Sequence, residues 1–149
     1  ILFLDANVFL TNKKTIDECL KDIICYAADL ETIKLRSVSS KFNYIYTFFE
    51  LFRDLFIIRP ICFGGFMMIN KEVFWLKGGF DPESTKLEDI QLSIKIHPKR
   101  FLINNFIAKT KNQNIIKKGL FKLIIHVLKA IINKNNPKFF HKKKLKVYS

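Results

Sequence analysis

Residues 65–81 read GFMMINKEVFWLKGGFD, and this stretch decides the fold class. Its first part, from Phe66 to Ile69, is a short apolar run after a glycine, which is typical of a strand. Residues 71–77 have room for two helical turns, and Gly78-Gly79 supplies a helix stop. A strand followed at once by a helix indicates a layered α/β fold.

The flanking sequence continues this alternation of strands and helices. Short apolar runs predict a buried strand at residues 1–4 and further strands at residues 31–38 and 101–108. Helical spacing of apolar residues predicts helices at residues 15–28 and 115–133. Residues 40–58 are strongly aromatic and lack glycine, which favours a buried helix ended by Pro60. Together these elements predict an α/β domain.

One segment carries conflicting signals. Ile90, Leu92, Ile94 and Ile96 alternate as the residues of a strand would. The acids at residues 88–89 instead suit the first turn of a helix. The local pattern leaves both interpretations open.

Composition and charge exclude several classes of protein. The chain has 149 residues, of which 49% are hydrophobic, enough to fill the core of one domain. Three widely spaced cysteines support neither a disulfide framework nor a zinc ribbon. Residues 97–149 hold 14 Lys and Arg and no acid, whereas residues 1–96 hold 12 Lys and Arg and 13 acids. An anionic partner is therefore expected to bind the C-terminal third of the chain.

The first candidate site is Asp5-Ala6-Asn7, which ends the first apolar run. In an open α/β sheet, ligands bind beyond the carboxyl ends of the strands. A carboxylate and an amide oxygen two residues apart can both face a hard cation, and Mg²⁺ bound with a diphosphate needs only one or two protein ligands. The alternative is that Asp5 and Asn7 are ordinary turn residues.

The second candidate site is Glu88-Asp89, which follows the glycine-containing loop. Adjacent carboxylates at the start of a helix could supply a general base. They could equally cap the helix and compensate its dipole. Cys62 has no nearby base that would make it a nucleophile, so we interpret it as a packing residue.

These motifs occur in a fixed order. They are Leu4-Asp5-Ala6-Asn7, Gly65 to Ile69, Lys71 to Phe74, Gly78 to Asp81 and Glu88 to Leu92. Their order and spacing resemble the family 2 glycosyltransferases, in which an Asp-x-Asp strand is followed by a glycine and a short strand, Lys/Arg-Glu-x-Phe, Gly-Gly-Phe-Asp and Glu-Asp-x-x-Leu. The resemblance covers most of the chain.

This resemblance implies the nucleotide-diphospho-sugar transferase (GT-A) fold, a Rossmann-like α/β sandwich. It implies an inverting transfer of a sugar from a nucleotide-diphosphate sugar donor to a lipid or glycan acceptor. Asp5 and Asn7 would hold a divalent cation, Mg²⁺ or Mn²⁺, and the donor diphosphate. Asp89 would be the general base and Glu88 its companion, on a helix at residues 88–97.

The resemblance also assigns the acceptor side and the domain limits. The loop residues Gly79, Phe80 and Asp81 would contact the acceptor. Residues 1–112 would be the C-terminal portion of a glycosyltransferase catalytic domain, and residues 113–149 a basic amphipathic helix with a Lys-rich tail. The chain begins on Ile1 rather than Met, so we expect a fragment that lacks the N-terminal nucleotide-binding part.

Two positions depart from the family pattern. Asn7 replaces the second Asp of Asp-x-Asp, which removes a charge from the cation site. Residues 112–114 read NQN where relatives often carry a basic Asn-Arg-Arg run. Asn7 and the missing N-terminal part leave a rival hypothesis, a non-catalytic remnant that acts as a basic membrane- or partner-binding module.

The basic helix suggests a second kind of partner. Lys118, Lys122 and Lys129 share one face of residues 115–133, opposite an apolar stripe. Such a helix could lie on an anionic membrane surface or pack on its own domain with a solvated Lys face. No nucleic-acid motif is present, so nucleic acid is not an expected partner. We therefore expect a cytoplasmic protein, peripheral on the inner face of the membrane.

Trp75 is expected to be a core residue rather than a sugar-stacking one.

Overall fold

A computed structural model describes residues 1–55, 61–62, 65–82, 84, 88–111, 125, 128–129 and 132. Within them the chain forms a mixed α/β structure. Its strands are β1 (Leu2–Leu4), β2 (Val8–Leu10), β3 (Leu30–Ser37), β4 (Phe66–Ile69) and β5 (Phe101–Thr110). Its α-helices are α1 (Thr15–Cys25), α2 (Asn43–Leu55), α3 (Lys71–Leu76) and α4 (Glu88–Ser93). Short 3₁₀ helices occupy Ser40–Phe42 and Pro98–Arg100.

The five strands form one mixed sheet in the order β1-β4-β3-β5-β2. Strand β4 is antiparallel to both β1 and β3, whereas β3 and β5 are parallel. Strands β1, β3 and β5 therefore run in the same direction, and their carboxyl ends meet at one end of the sheet. We call this the Asp5 end, because Asp5 directly follows β1.

The sheet is covered on both faces. Side chains alternate between the two faces along β4, and those on each face belong to a different core. Phe66 and Met68 belong to a core with Cys19 and Ile23 of α1. Met67 and Ile69 belong to a second core, which also contains residues of α3 and α4. We call these faces the α1 face and the α3–α4 face. The strand predicted from residues 66–69 is confirmed, and all four of its residues are buried.

Helix α3 begins and ends where the sequence predicts. The Asn70 side chain caps its N-terminus by accepting hydrogen bonds from the backbone N–H groups of Glu72 and Val73. Gly78 and Gly79 have positive φ angles of 83° and 59°, which end the helix as predicted. The strand and helix at residues 65–79 can thus be predicted from local sequence.

The structure decides between the two interpretations of residues 88–97. The alternation at residues 90–96 does not mark a strand, because the chain forms α4 and then tightens through i→i−3 bonds to Leu92 and Ser93 before Pro98. The helix expected at residues 88–97 is therefore confirmed only for Glu88–Ser93.

Helix α2 is not the buried helix that residues 40–58 predict. Tyr44 and Leu51 lie seven residues apart, on the same side of the helix, and both are exposed, so this side faces solvent. Ile45 is buried, and Glu50 forms an ion pair with Arg36 of β3. Pro60, the predicted end of this helix, lies outside the described residues.

Strands β1 and β2 also differ from expectation. Leu4 is exposed although residues 1–4 read as a buried strand, because β1 is the outermost strand in the sheet order. Strand β2 has only three residues, too few to produce a periodic pattern, and the sequence does not predict it. It pairs with the far end of β5, from Ala108 to Thr110.

Candidate functional site

Asp5 lies at the carboxyl end of β1, where an open α/β sheet binds ligands. Its backbone N–H donates to the Gly65 carbonyl at 3.1 Å, which continues the pairing of Leu4 with Phe66 by one residue. Alternation along β1 puts Asp5 on the same face as Phe3, which packs with the core of the α3–α4 face. The side chain of Asp5 is exposed.

Asn7 is held in the turn between β1 and β2. The Asp5 carbonyl accepts from the Val8 N–H at 2.9 Å and closes this turn. The Asn7 carbonyl accepts from the backbone N–H of Lys111, immediately after β5, at 3.2 Å. Asn7 is also exposed. The first candidate site therefore stands at the Asp5 end, open to solvent and fixed through its backbone.

Gly65 is needed for this arrangement. Its φ angle is +136°, in a region that other residues rarely adopt. A Cβ at this position would approach Leu35 Cδ1 to 2.9 Å. A side chain at residue 65 would therefore strain the backbone that pairs with Asp5 and displace the end of the Leu35 side chain.

The loop of Gly79, Phe80 and Asp81 packs against β1. The Phe80 ring meets the Phe3 ring edge-on, with centroids 4.7 Å apart. Phe74 of α3 contacts both rings, at 5.3 Å from Phe3 and 5.4 Å from Phe80. Since Phe3 lies two residues before Asp5, these contacts bring the predicted acceptor loop beside the strand that carries the predicted cation site.

Glu88 and Asp89 form the first turn of α4, as predicted. Glu88 is exposed and Asp89 is half-buried. Gln91 donates from Nε2 to the Ser84 hydroxyl at 2.8 Å, which fastens α4 to the segment after the acceptor loop. The carboxylates thus begin a helix that is attached to the loop they follow in sequence.

A chain of contacts connects α4 to the Asp5 end. Ser93 lies one helical turn after Asp89, and its hydroxyl accepts from the backbone N–H of Cys62 at 3.1 Å. The Cys62 thiol lies 3.7 Å from the carbonyl of Phe66, the residue that pairs with Leu4. Cys62 is fully buried, which confirms its interpretation as a packing residue.

The donor atoms of Asp5 and Asn7 fit a hydrated hard cation. They offer one carboxylate and one amide oxygen, both accessible at the carboxyl end of a strand. Across the described residues, no group of three His, Cys, Asp or Glu side chains is close enough to hold a metal ion by itself. A cation at this position would need water or phosphate oxygens to complete its coordination.

A buried acid lies on the opposite face of the sheet. Glu31 of β3 is fully buried, and no donor among the described residues reaches either carboxyl oxygen with hydrogen-bonding geometry. Burial raises the pKa of Glu31, and the nearby Asp22 carboxylate raises it further. The Cys19 thiol and the Asn104 amide, which lie nearby, offset part of this shift. This acid is on the α1 face, away from the candidate catalytic residues.

The basic C-terminal site can be described only in part. Lys129 is helical and exposed. Lys118 and Lys122, and the NQN run at residues 112–114, lie outside the described residues. None of the helices that the structure describes is both long enough and apolar enough to cross a bilayer.

The expectation for Trp75 is wrong. Its side chain is 65% exposed, although a core position is expected from the sequence. On α3 it is Phe74 that turns inward, and the short helix leaves Trp75 and Leu76 facing solvent. No local pattern indicates this exposure, because six residues are too few to establish an apolar face.

Comparisons with protein-family models, with curated proteins and with solved structures found no match.

Proposed function

We propose that this chain forms part of the catalytic domain of an inverting glycosyltransferase of family 2, with the GT-A fold. The observation that carries the proposal is the packing of Phe80 on Phe3. Through this contact the Gly-Gly-Phe-Asp loop lies against β1, the strand that Asp5 directly follows, although the two segments are far apart in sequence. A mixed sheet with helices on both faces supports the proposal, because open α/β sheets bind ligands at the carboxyl ends of their strands, where Asp5 lies.

The reaction is a single displacement at the anomeric carbon of a nucleotide-diphosphate sugar. Asp89 accepts the proton of an acceptor hydroxyl while that oxygen forms its bond to the anomeric carbon. The bond from this carbon to the diphosphate oxygen breaks at the same time, and the nucleoside diphosphate leaves with the electron pair. Attack from the face opposite the leaving group inverts the configuration.

Each group has a role that follows from its chemistry. Glu88 is the companion of Asp89 at the start of α4, and Gly79, Phe80 and Asp81 form the acceptor side. Asp5 and Asn7 would hold Mg²⁺ or Mn²⁺, which when bound neutralises charge on the departing diphosphate. The acceptor is a lipid or a glycan.

The protein acts at the inner face of the membrane as a peripheral protein. What supports this is the absence of acids from residues 97–149 together with the exposed Lys129. Lys118, Lys122 and Lys129 would attract anionic headgroups, each contributing roughly 1 kcal/mol near such a surface. Changing all three to Gln should weaken co-sedimentation with anionic vesicles.

The test of the catalytic proposal is Asp89→Asn in the full-length protein. Transfer from a panel of uridine- and guanosine-diphosphate sugars should fall by about 10²–10⁴-fold, because general-base catalysis is lost. Binding of the free nucleoside diphosphates, measured by calorimetry, should be unchanged. Asp17→Asn, which removes an exposed carboxylate from α1, is the matched control.

Two outcomes would contradict the proposal. Transfer by Asp89→Asn at the wild-type rate would remove this residue from the mechanism. If the wild-type protein neither binds nucleoside diphosphates nor transfers any sugar of the panel, the non-catalytic binding module is the better interpretation.

A further inference from the structure

The end of helix α3 presents two large apolar side chains to solvent. Trp75 is 65% exposed and Leu76 is 81% exposed. They are adjacent in sequence and directly precede the turn formed by Lys77 and Gly78. An exposed Trp beside an exposed Leu at one helix end forms a protruding apolar tip, which we call the α3 tip.

The Trp75 ring is held in its outward position. It meets the ring of Phe74 edge-on, with centroids 5.0 Å apart and planes at 77°. Phe74 is buried and packs with Phe3 and Phe80. The exposed ring is thus supported by the aromatic core beneath the acceptor loop.

Lysines surround the α3 tip. Lys71 lies one helical turn before Trp75 and is exposed. Lys77 directly follows Leu76, and the Lys95 ammonium donates to the Lys77 carbonyl at 3.0 Å. Lys95 is therefore the third lysine near the α3 tip. Helix α3 contributes one acid, Glu72, so these three lysines outnumber the acids of the helix.

We propose that the α3 tip inserts into the headgroup region of an anionic bilayer. Trp is suited to this region because one side of its ring is apolar and its N–H can remain in contact with water. The lysines would contact anionic headgroups while Trp75 and Leu76 bury apolar surface. This contact would be made by α3 and would be additional to the basic helix predicted at residues 115–133.

A bilayer fits the α3 tip better than a sugar ring does. A stacked sugar would cover the face of Trp75 and would leave Leu76 exposed. A bilayer interface covers both side chains and also accounts for the lysines. In terms of the proposed function, on which this step depends, the tip would hold the acceptor loop at Gly79 and Phe80 against the membrane that supplies a lipid acceptor.

Trp75 is the only Trp of the chain, so its fluorescence reports on the α3 tip alone. The full chain is titrated with vesicles of phosphatidylcholine containing phosphatidylglycerol, with phosphatidylcholine vesicles alone, and with a soluble oligosaccharide. Anionic vesicles should shift the emission of Trp75 to shorter wavelength, and added salt should reverse this shift. Neither of the other two additions should cause it.

A variant tests the apolar contribution. Leu76→Ser should weaken binding to anionic vesicles by about tenfold, the factor expected from losing a buried Leu side chain. Leu20→Ser changes a half-exposed Leu of α1, on the other face of the sheet, and should not weaken binding. Circular dichroism should show both variants folded.

Three results would overturn the proposal. The first is an unchanged Trp75 emission while vesicles bind the protein, and the second is no vesicle binding at all. The third is a shift caused by the oligosaccharide, which would make Trp75 a sugar platform. Sugar transfer to a soluble acceptor, and the loss of this transfer in Asp89→Asn, are measured without vesicles. A failure of the proposed function can therefore be distinguished from a failure of the membrane contact.

Discussion

The Phe80 ring packs edge-on against the Phe3 ring, with centroids 4.7 Å apart. This contact attaches the loop after α3 to the strand that precedes Asp5, and Phe74 contacts both rings. Both residues pack against the core of the α3–α4 face. The position of the Gly79–Asp81 loop relative to the strand before Asp5, and so of the two candidate sites, therefore depends on this aromatic cluster.

A double-mutant cycle should reveal this coupling. Phe3→Leu and Phe80→Leu should each destabilise the protein by about 1 kcal/mol, because Leu replaces most of the apolar volume. The double variant should lose less than the sum, by about 0.5–1.5 kcal/mol, the usual energy of an aromatic pair. Urea denaturation measures all three values. The control is Phe9→Leu, on the exposed side of β2, which should show no coupling to Phe80. If the losses of Phe3→Leu and Phe80→Leu are fully additive, the prediction is contradicted.

The sequence predicts those parts of the fold that depend on neighbouring residues. The strand at Phe66, the helix after Asn70 and its stop at Gly78-Gly79 follow from apolar runs, capping and backbone freedom, and all form as predicted. Glu88 and Asp89 begin a helix, as the resemblance requires. These properties can be predicted because they depend on a few adjacent residues.

Other properties depend on contacts between distant residues and could not be predicted. The packing of Phe3 on Phe80 joins segments far apart in the chain. Strand β2 exists because β5 extends far enough to pair with it. The exposure of Trp75 depends on what surrounds α3, and no local pattern encodes this. The residues of the candidate site could thus be identified from the sequence by their type. Which of them lie close together could not be predicted, because that depends on tertiary contacts.

The two glycines that end α3 should differ in their tolerance of a side chain. Both have positive φ, so Ala at either position should cost about 1–2 kcal/mol of stability. A Cβ at Gly79 would also lie 3.1 Å from the Phe74 ring, whereas a Cβ at Gly78 meets open space. Thermal unfolding should therefore show a larger loss for Gly79→Ala than for Gly78→Ala. Equal losses would mean that the Phe74 ring moves aside.

Asn7 should limit the affinity of the proposed cation site. Asn7→Asp adds a second carboxylate beside Asp5 and should lower the half-saturating Mn²⁺ concentration for sugar transfer by about tenfold, since cation affinity rises with the charge of the ligands. Asn12→Asp, in the exposed loop after β2, adds the same charge outside the site and should leave the Mn²⁺ dependence unchanged. If both variants or neither alter it, Asn7 does not face the cation.

Glu31 should make the stability of the fold depend on pH. Its carboxyl is fully buried, close to the Cys19 thiol and the Asp22 carboxylate of α1 and the Asn104 amide of β5. Asn104 donates from Nδ2 to Asp22 Oδ2 at 2.6 Å, which holds that carboxylate next to the sheet. Burial raises the pKa of Glu31 above its ordinary value of 4.5, so the folded protein retains a proton that the unfolded chain releases.

The sign of the pH effect follows from this difference. Below about pH 4.5 Glu31 is protonated in both states, and its contribution to stability is complete. As the pH rises from there through the raised pKa of the folded state, the unfolded chain binds fewer protons than the folded protein does, and this contribution is lost.

Glu31→Gln keeps the shape of the side chain without its ionisation. The variant should therefore lose less stability than the wild type as the pH rises from 4.5 towards neutrality, measured by urea denaturation at several pH values. Glu72→Gln, which removes an exposed acid from α3, should retain the wild-type slope, and a wild-type slope in Glu31→Gln would show that this carboxyl is not the group responsible.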